Sequence, residues 1–285
     1  MAKKERKKNK KQLFIRLFIL AAAIVLAAGA VYAYCNRLRG DILEVCFIDV
    51  GQGDSAVCFF PDGTVVLIDA GEVHMGPRVC EFLRGRGVAR IDYAVATHPH
   101  TDHIGGMAEV LDNFEVGELW LPDCVNYVPA YGMMMSAAYR KGITVRTAEA
   151  GAEMIEGSAV FLAPQRGAEY SEMNDMSAVL HVTYGKRSFL FMGDAEACTE
   201  YDIAVTDCDV LKLGHHGSST SGSPYFLRKV KPEIVIISSG EDNPYGHPHI
   251  ETKYDLTMSG ACVYNTAHYG TVSVKTDGER VKVGY

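Results

Sequence analysis

The chain of 285 residues is longer than one small domain needs and fits one large α/β domain with an appendage. Apolar residues make up 48%, enough for a sizeable core, which excludes intrinsic disorder and collagen-like chains; eight cysteines in this length exclude a disulfide-stapled miniprotein. The formal charge of −7 is divided unevenly: residues 1–40 hold ten Lys and Arg against a single Glu, so residues 41–285 carry a balance of −16.

Lys3, Lys4, Arg6, Lys7, Lys8, Lys10 and Lys11 open the chain, and nineteen uncharged residues, Leu17 to Cys35, follow. At helical rise this run is about 28 Å long, close to the hydrocarbon thickness of a bilayer. It predicts one N-terminal transmembrane helix within residues 1–40, with Arg16 at its edge snorkelling to the interface. Eight basic residues before the run, against Arg37 and Arg39 just after it, place the N-terminus in the cytoplasm and the body outside. The competing reading is a signal peptide cleaved at small residues such as Ala28-Gly29-Ala30, giving a secreted protein. The run is longer than the usual apolar core of roughly 7–15 residues, which favours a retained anchor.

Residues 41–285 show no repeat and no linker, and read as one domain. Short β-branched runs come first, at Leu43–Val50, Ser55–Phe60 and Thr64–Ile68, with Pro61-Asp62-Gly63 as a turn between the last two. The loop Gly51-Gln52-Gly53-Asp54 reads either as a tight hairpin or as part of a site rim. The spacing of Val79, Phe82 and Leu83 predicts a helix over Pro77–Arg86, and strand Ile91–Ala96 and a helix over Gly106–Asn113 follow. Strands at Gly117–Leu121 and Thr144–Thr147 flank a helix near Ala130–Arg140. Ser177–Tyr184 and Ser188–Met192 form a hairpin about Gly185-Lys186. Then come a helix near Glu196–Val205, strand Asp209–Leu213, helix Ser223–Val230 and strand Glu233–Ile237. The alternation predicts two sheets covered by outer helices. The seven body cysteines contain no C-x-x-C pair, so neither a disulfide framework nor a cysteine metal site is expected.

The segment that carries chemistry is Thr97-His98-Pro99-His100-Thr101-Asp102-His103-Ile104-Gly105-Gly106, directly after a predicted strand. Three imidazoles and a carboxylate within six residues are ligands suited to zinc, manganese or iron. Residues 98 and 100 point together if the strand end stays extended, and the turn into a helix carries 102 and 103 to a second centre.

This H-x-H-x-D-H string resembles the metal signature of the metallo-β-lactamase superfamily. Asp69 in Val66-Leu67-Ile68-Asp69-Ala70-Gly71, ahead of the string, and Asp194 in Phe191-Met192-Gly193-Asp194-Ala195 and Leu213-Gly214-His215-His216-Gly217 after it, match further elements of that family in the right order. More narrowly, Asp49-Val50-Gly51-Gln52-Gly53-Asp54-Ser55, the histidine string, Leu211-Lys212-Leu213-Gly214-His215-His216-Gly217-Ser218 and Tyr245-Gly246-His247-Pro248 are similar to the C-terminal extracytoplasmic domain of ComEC-type competence proteins. The resemblance implies an αββα sandwich with two divalent metal ions between the sheet edges. His98, His100, Asp102, His103, Asp194 and His215 are the implied metal ligands, with Asp102 and Asp194 catalytic and Asp194 bridging the metals. Asp69 is expected to orient a ligand histidine; Lys212, His216, Ser218, Ser219 and His247 are expected to contact substrate. The serines of 218–223 read equally well as a polar loop capping a helix at Ser223.

Two departures matter. The family domain is attached to a multi-span DNA channel, whereas this chain offers one candidate span. The third histidine of the first metal position is missing: Ser171–Ser177 holds none, leaving Asn174, Asp175 or Ser177 to fill the place, with His181 as a further candidate. The first position is therefore expected to be oxygen-rich and weaker, with activity restored by manganese at least as well as by zinc. Three functions remain open: a phosphodiesterase or nuclease, a hydrolase of another extracytoplasmic ester such as cell-wall choline phosphate, a lactone or a lactam, and a non-catalytic metal-binding module. Nucleic acid is the substrate the narrower resemblance implies. The acidic body opposes tight phosphate-backbone binding unless Arg140, Lys141, Arg146 or Arg228, Lys229 and Lys231 form a basic rim. No obligate protein partner is indicated.

The charge bias gives a testable topology. A reporter fused at Tyr285 is expected to be extracytoplasmic, with active alkaline phosphatase and dark fluorescent protein. The reverse pattern overturns the orientation, and a shortened soluble product supports cleavage.

Overall fold

The computed structural model describes residues 14–27, 29, 41–124, 128–205 and 207–285. Two compact units are present, Met1–Asp41 and Ile42–Tyr285. In the first, residues 14–27 are helical (α1) with exposed side chains. Among the described residues no helix is long and apolar enough to cross a membrane. Positions 28 and 30–35 of the expected span lie outside them.

The second unit is built on two sheets. Strands β1 (Leu43–Phe47), β2 (Ala56–Phe59), β3 (Val65–Ile68), β4 (Arg90–Val95), β5 (Glu115–Leu121) and β6 (Thr144–Thr147) belong to the first, and β7 (Glu153–Ile155), β8 (Ala159–Ala163), β9 (Val179–Tyr184), β10 (Arg187–Phe191), β11 (Val210–Lys212), β12 (Ile234–Ile237) and β13 (Cys262–Asn265) to the second. Strands β14 (Val272–Thr276) and β15 (Val281–Gly284) return to the first sheet, whose order is β15-β14-β1-β2-β3-β4-β5-β6; the second runs β13 to β7 in reverse chain order.

Period-two patterning decides which faces meet. Val45 and Phe47 of β1, Val66 and Ile68 of β3, and Phe189 and Phe191 of β10 point into a core between the sheets. Phe47 stacks on Phe191 with ring centroids 5.8 Å apart, and Trp120 on Phe161 at 5.4 Å. The opposite faces are covered by helices. Val79 and Leu83 of α2 (Gly76–Gly85), Val110 and Leu111 of α4 (Met107–Asn113) and Met134 of α5 (Pro129–Lys141) share a core with Leu67, Ile91 and Leu119. Phe226 and Leu227 of α7 (Pro224–Val230) and Leu256 of α8 (Ile250–Ser259) do so with Leu190, Leu211 and Val235. The result is the expected αββα sandwich.

Neighbours β3 to β6 and β10 to β13 run parallel, so their C-terminal ends collect along one edge of each sheet. Open parallel sheets hold their sites at such ends. Sequence reading places the first strand as far as Val50, but it stops at Phe47. Asp49 leaves the ladder, its N–H donating to Thr271 Oγ1 and its carboxylate accepting from Gly51 N. β7, β8, α8 and the β13–β15 segments were not predicted. The strands are only three to five residues long, α8 buries only Thr252 and Leu256, and β14 pairs with β1 only through the closed fold.

Phe191→Ala removes one partner of the stack that joins the sheets, at a residue 2% exposed. Urea denaturation is expected to show a loss of about 3–5 kcal/mol. A change below about 1 kcal/mol would contradict this account of the core.

Candidate metal centre

The two sheet edges meet over Asp194, which follows β10 and is 2% exposed. Its backbone N–H donates to Ser177 Oγ at 3.0 Å, fixing the carboxylate in the gap. His103 Nε2 stands 3.1 Å and His216 Nε2 3.5 Å from its Oδ1; His98 Nε2 stands 3.7 Å and His215 Nε2 3.9 Å from its Oδ2. Two overlapping sets have all their donor atoms within 4.8 Å: Asp54, His103, Asp194 and His216, and His98, His100 and Asp194. Asp102 joins the first through its Oδ2, 3.1 Å from His216 Nε2.

Local backbone explains how β4 delivers its histidines. His100 is extended (φ −77°, ψ 147°) and precedes a single helical turn, α3 (Thr101–Ile104), which swings His103 back beneath His98. The turn lies flat on the segment after β3 because residues 105 and 106 are glycines. A Cβ on Gly106 would stand 2.3 Å from Ala70 O, and one on Gly105 2.4 Å from Val73 N. Gly53 has the same function on the other side, where a Cβ would stand 2.3 Å from Asp102 O. The loop Gly51–Asp54 is therefore part of the site, and it brings in Asp54, which the sequence reading treated only as part of a glycine loop.

Asp69 adopts a left-handed backbone (φ 57°) at the end of β3. Its Oδ1 accepts from Thr97 N at 2.8 Å, and its Oδ2 from Thr97 Oγ1 at 2.6 Å and His103 Nδ1 at 2.8 Å. His216 Nδ1 donates to Ser238 O at 2.9 Å. Each arrangement commits Nδ1 and leaves Nε2 facing Asp194, the preparation usual for a metal-ligating imidazole.

Charge is concentrated here. Burial alone would lower the pKa of His103, but Asp194, Asp69 and Asp102 raise it well above the usual histidine range. His216 is pushed up to about 10 against burial by Asp194, Asp102 and Asp54. His98 is driven well below the usual range by burial and the neighbouring His103. Burial opposes ionisation of Asp194, yet His103 and His216 hold its pKa well below the carboxylate range. Asp54 Oδ1, His103 Nε2 and Asp194 Oδ1 have no hydrogen-bond partner, although buried polar atoms are rarely left unpaired. Orphaned nitrogen and oxygen donors converging on one buried carboxylate fit a divalent cation, whose binding displaces the imidazole protons.

Other expected contacts fall elsewhere. Lys212 is 3% exposed and lies beneath the site instead of facing substrate: its ammonium pairs with the Asp54 carboxylate and donates to Leu213 O at 2.8 Å. A buried ammonium needs such partners. Asp175 faces α6 (Ala197–Asp202), where its Oδ1 accepts from Glu196 N and Thr199 Oγ1. Ser218 is 4% exposed, with its Oγ 2.9 Å from Thr220 Oγ1, and Ser223 caps α7 by accepting from Phe226 N. Ser219 N donates to His249 Nδ1. His181 lies on the face of β9 opposite Leu180 and Val182, in neither donor set. His247 does reach the opening, 5.4 Å from His215 and stacked on Tyr245 at 5.6 Å between ring centroids. Burial and the surrounding imidazoles lower its pKa to about 4. Sequence reading missed Asp54, Glu196 and the inward role of His216. The tight glycine before Asp54 was the available signal.

A family model described as the metallo-beta-lactamase superfamily matches residues 48–241. Recombination protein 2 of Haemophilus influenzae is 32% identical over 258 residues, covering 87% of this chain and 31% of that protein. ComE operon protein 3 of Bacillus subtilis is 29% identical over 254 residues, covering 81% of this chain and 33% of its own length. The chain thus spans about a third of the length of these curated relatives. Among solved structures, the metallo-beta-lactamase fold protein YhfI of Bacillus subtilis superposes with a TM-score of 0.56 at 10% identity, over 85% of this chain and 100% of that one. A variant of CmlA beta-hydroxylase gives 0.55 at 15% identity, over 83% and 54%. These two share the fold.

Asp69→Asn keeps the shape of the side chain but removes the carboxylate that orients His103. Metal affinity, measured by competition with a chelator, is expected to fall about 10- to 100-fold with the fold retained. Unchanged affinity would show that His103 needs no brace.

Proposed function

This chain belongs to the metallo-β-lactamase superfamily, and we propose that it is a metal-dependent hydrolase of phosphodiester bonds, with nucleic acid as the leading substrate class. The observation that carries the hydrolase reading is the buried Asp194 carboxylate faced on both oxygens by imidazole nitrogens. The phosphodiester reading draws on the relative named for recombination.

His98, His100, Asp102, His103, Asp194 and His216 would hold two divalent cations, zinc or manganese, with His215 at the opening. Bound there, such cations supply Lewis acidity and lower the pKa of water towards neutrality. The chain's own groups do the remaining work. Asp69 and Ser238 O fix the imidazoles, Lys212 neutralises Asp54, and Asp102, its side chain 25% exposed, would accept a hydrogen bond from the attacking water. His247 and Gln52, 3.5 Å apart, offer polar donors at the mouth for phosphoryl oxygens. The basic N-terminus and uncharged run support a membrane-anchored enzyme acting outside the cytoplasm.

One observation favours a smaller ester as the second reading. Several cations expected to form a basic rim are engaged locally: Arg140 pairs with Asp112 at 2.9 Å, Arg146 with Glu118 at 3.1 Å, and Lys229 donates to Ile203 O at 2.6 Å. They are poorly placed to track a phosphate backbone.

A screen of metal-loaded protein against a bis-aryl phosphodiester, single- and double-stranded DNA, a lactone and nitrocefin separates these readings. Hydrolysis of the diester and of DNA is expected. His100→Ala and Asp102→Ala are expected to lower the rate on the order of 10³-fold, about 4 kcal/mol. Wild-type turnover in either variant sinks the metal mechanism, and nitrocefin or lactone cleavage without phosphodiester cleavage sinks the substrate class.

A further inference from the structure

We propose that the adjacent histidines serve different metals: His215 is the third imidazole of the first position, beside His98 and His100, and His216 belongs to the second, beside Asp102 and His103. This rests on the metallohydrolase reading. It gives His215, expected only as one of the metal ligands, a place in the first position, the one left short by the absence of histidine in residues 171–177.

The backbone provides the means. His215 (φ 47°, ψ 45°) and His216 (φ 52°, ψ 21°) are consecutive left-handed residues, a conformation that non-glycine residues rarely hold. Strain of this kind persists at sites where the surroundings impose it. An extended chain would send neighbouring side chains to opposite faces. Here the turn presents both imidazoles to Asp194, one to each carboxylate oxygen. His216 Nε2 is on the Oδ1 side with His103, and His215 Nε2 on the Oδ2 side with His98. Two donors bound to one ion at about 2.0–2.2 Å cannot lie more than about 4.4 Å apart. The four contacts to Asp194, at 3.1, 3.5, 3.7 and 3.9 Å, all satisfy that bound.

The second argument is the support behind His215. Its Nδ1 lies 2.9 Å from Glu196 Oε1, the same preparation that Asp69 gives His103. The same Glu196 oxygen accepts from Asn174 Nδ2 at 3.1 Å and Thr220 Oγ1 at 2.9 Å. Asn174 comes from the very segment that lacks a histidine. In place of a ligand, that segment supplies a brace for the carboxylate that aims His215. His215 lies outside the set of His98, His100 and Asp194 donors that already stand within 4.8 Å of one another. Closing that gap takes a shift of the His215 side chain, which lies at the opening and is 25% accessible. The first position becomes imidazole-rich, and both positions then suit zinc.

The test reads metal content and cobalt absorption in the full-length protein, without using turnover. Asn tolerates the left-handed backbone, so His215→Asn and His216→Asn are the variants of choice. Wild type is expected to retain two cobalt ions per chain after dialysis, and each single variant one. His98→Asn/His215→Asn is expected to lose no more than its component singles, because both act on one ion. His215→Asn/His216→Asn is expected to lose both ions. Glu196→Gln should weaken one ion about 10- to 100-fold and leave the other unchanged. Two tightly held ions in His215→Asn overturn the proposal, as does additive loss in the His98 pair. Wild-type protein that takes up no metal overturns instead the hydrolase reading on which it rests.

Discussion

A carboxylate in a dry interior needs positive charge or a set of donors around it, and Asp194 is the point from which the rest of this site is organised. Four imidazoles turn their Nε2 atoms toward it from two sheets. An imidazole holds such an orientation only if its other nitrogen is engaged. Asp69, Ser238 O, Glu196 and Thr97 Oγ1 stand at those nitrogens for His103, His216, His215 and His98. The outer ring of acceptors is as much part of the centre as the ligands.

That ring depends on the sandwich. Asp69 and His98 to His103 follow β3 and β4, and Asp194, the two adjacent histidines and Ser238 follow β10, β11 and β12. Parallel pairing within each sheet brings the strand ends together, and the inter-sheet core around Phe47 and Phe191 sets the spacing. The Asp54 carboxylate crosses from the first sheet to the Lys212 ammonium of the second, a buried pair spanning the gap. Glu200, 1% exposed, accepts from Ser223 N at 3.1 Å and anchors the loop that follows the histidine pair.

The long-range field differs from the local one. The body is acidic overall, while at the centre Asp194, Asp102 and Asp54 push His216 up to about 10 against the effect of burial. Under the proposed function, metal charge and not surface lysine and arginine would be the counterpart of an anionic substrate. At the mouth, Gln52 links the glycine loop to His247 and, through its Oε1, accepts from Gly240 N.

A metal-ligand signature and the class of fold were legible in the residues alone. The spacing of His98, His100, Asp102 and His103 after an apolar strand, with Asp69 before them and Asp194 and the histidine pair after, is a pattern that needs no contact map. Period-two and helical patterning placed the strands and helices that carry them. Only the tertiary structure decided the partners. Asp54 looked like part of a glycine turn until Gly53 let its loop lie against Asp102, and Lys212 looked like a substrate contact until Asp54 buried it. Glu196 carried no motif at all, yet its carboxylate meets His215 across nineteen residues of chain. The division of labour between His215 and His216 hangs on two left-handed backbone angles, which strand period cannot foretell. Ligand type is written in side-chain chemistry, residue by residue. Which nitrogen faces which oxygen depends on where two sheets stop, and that is fixed by packing between distant parts of the chain.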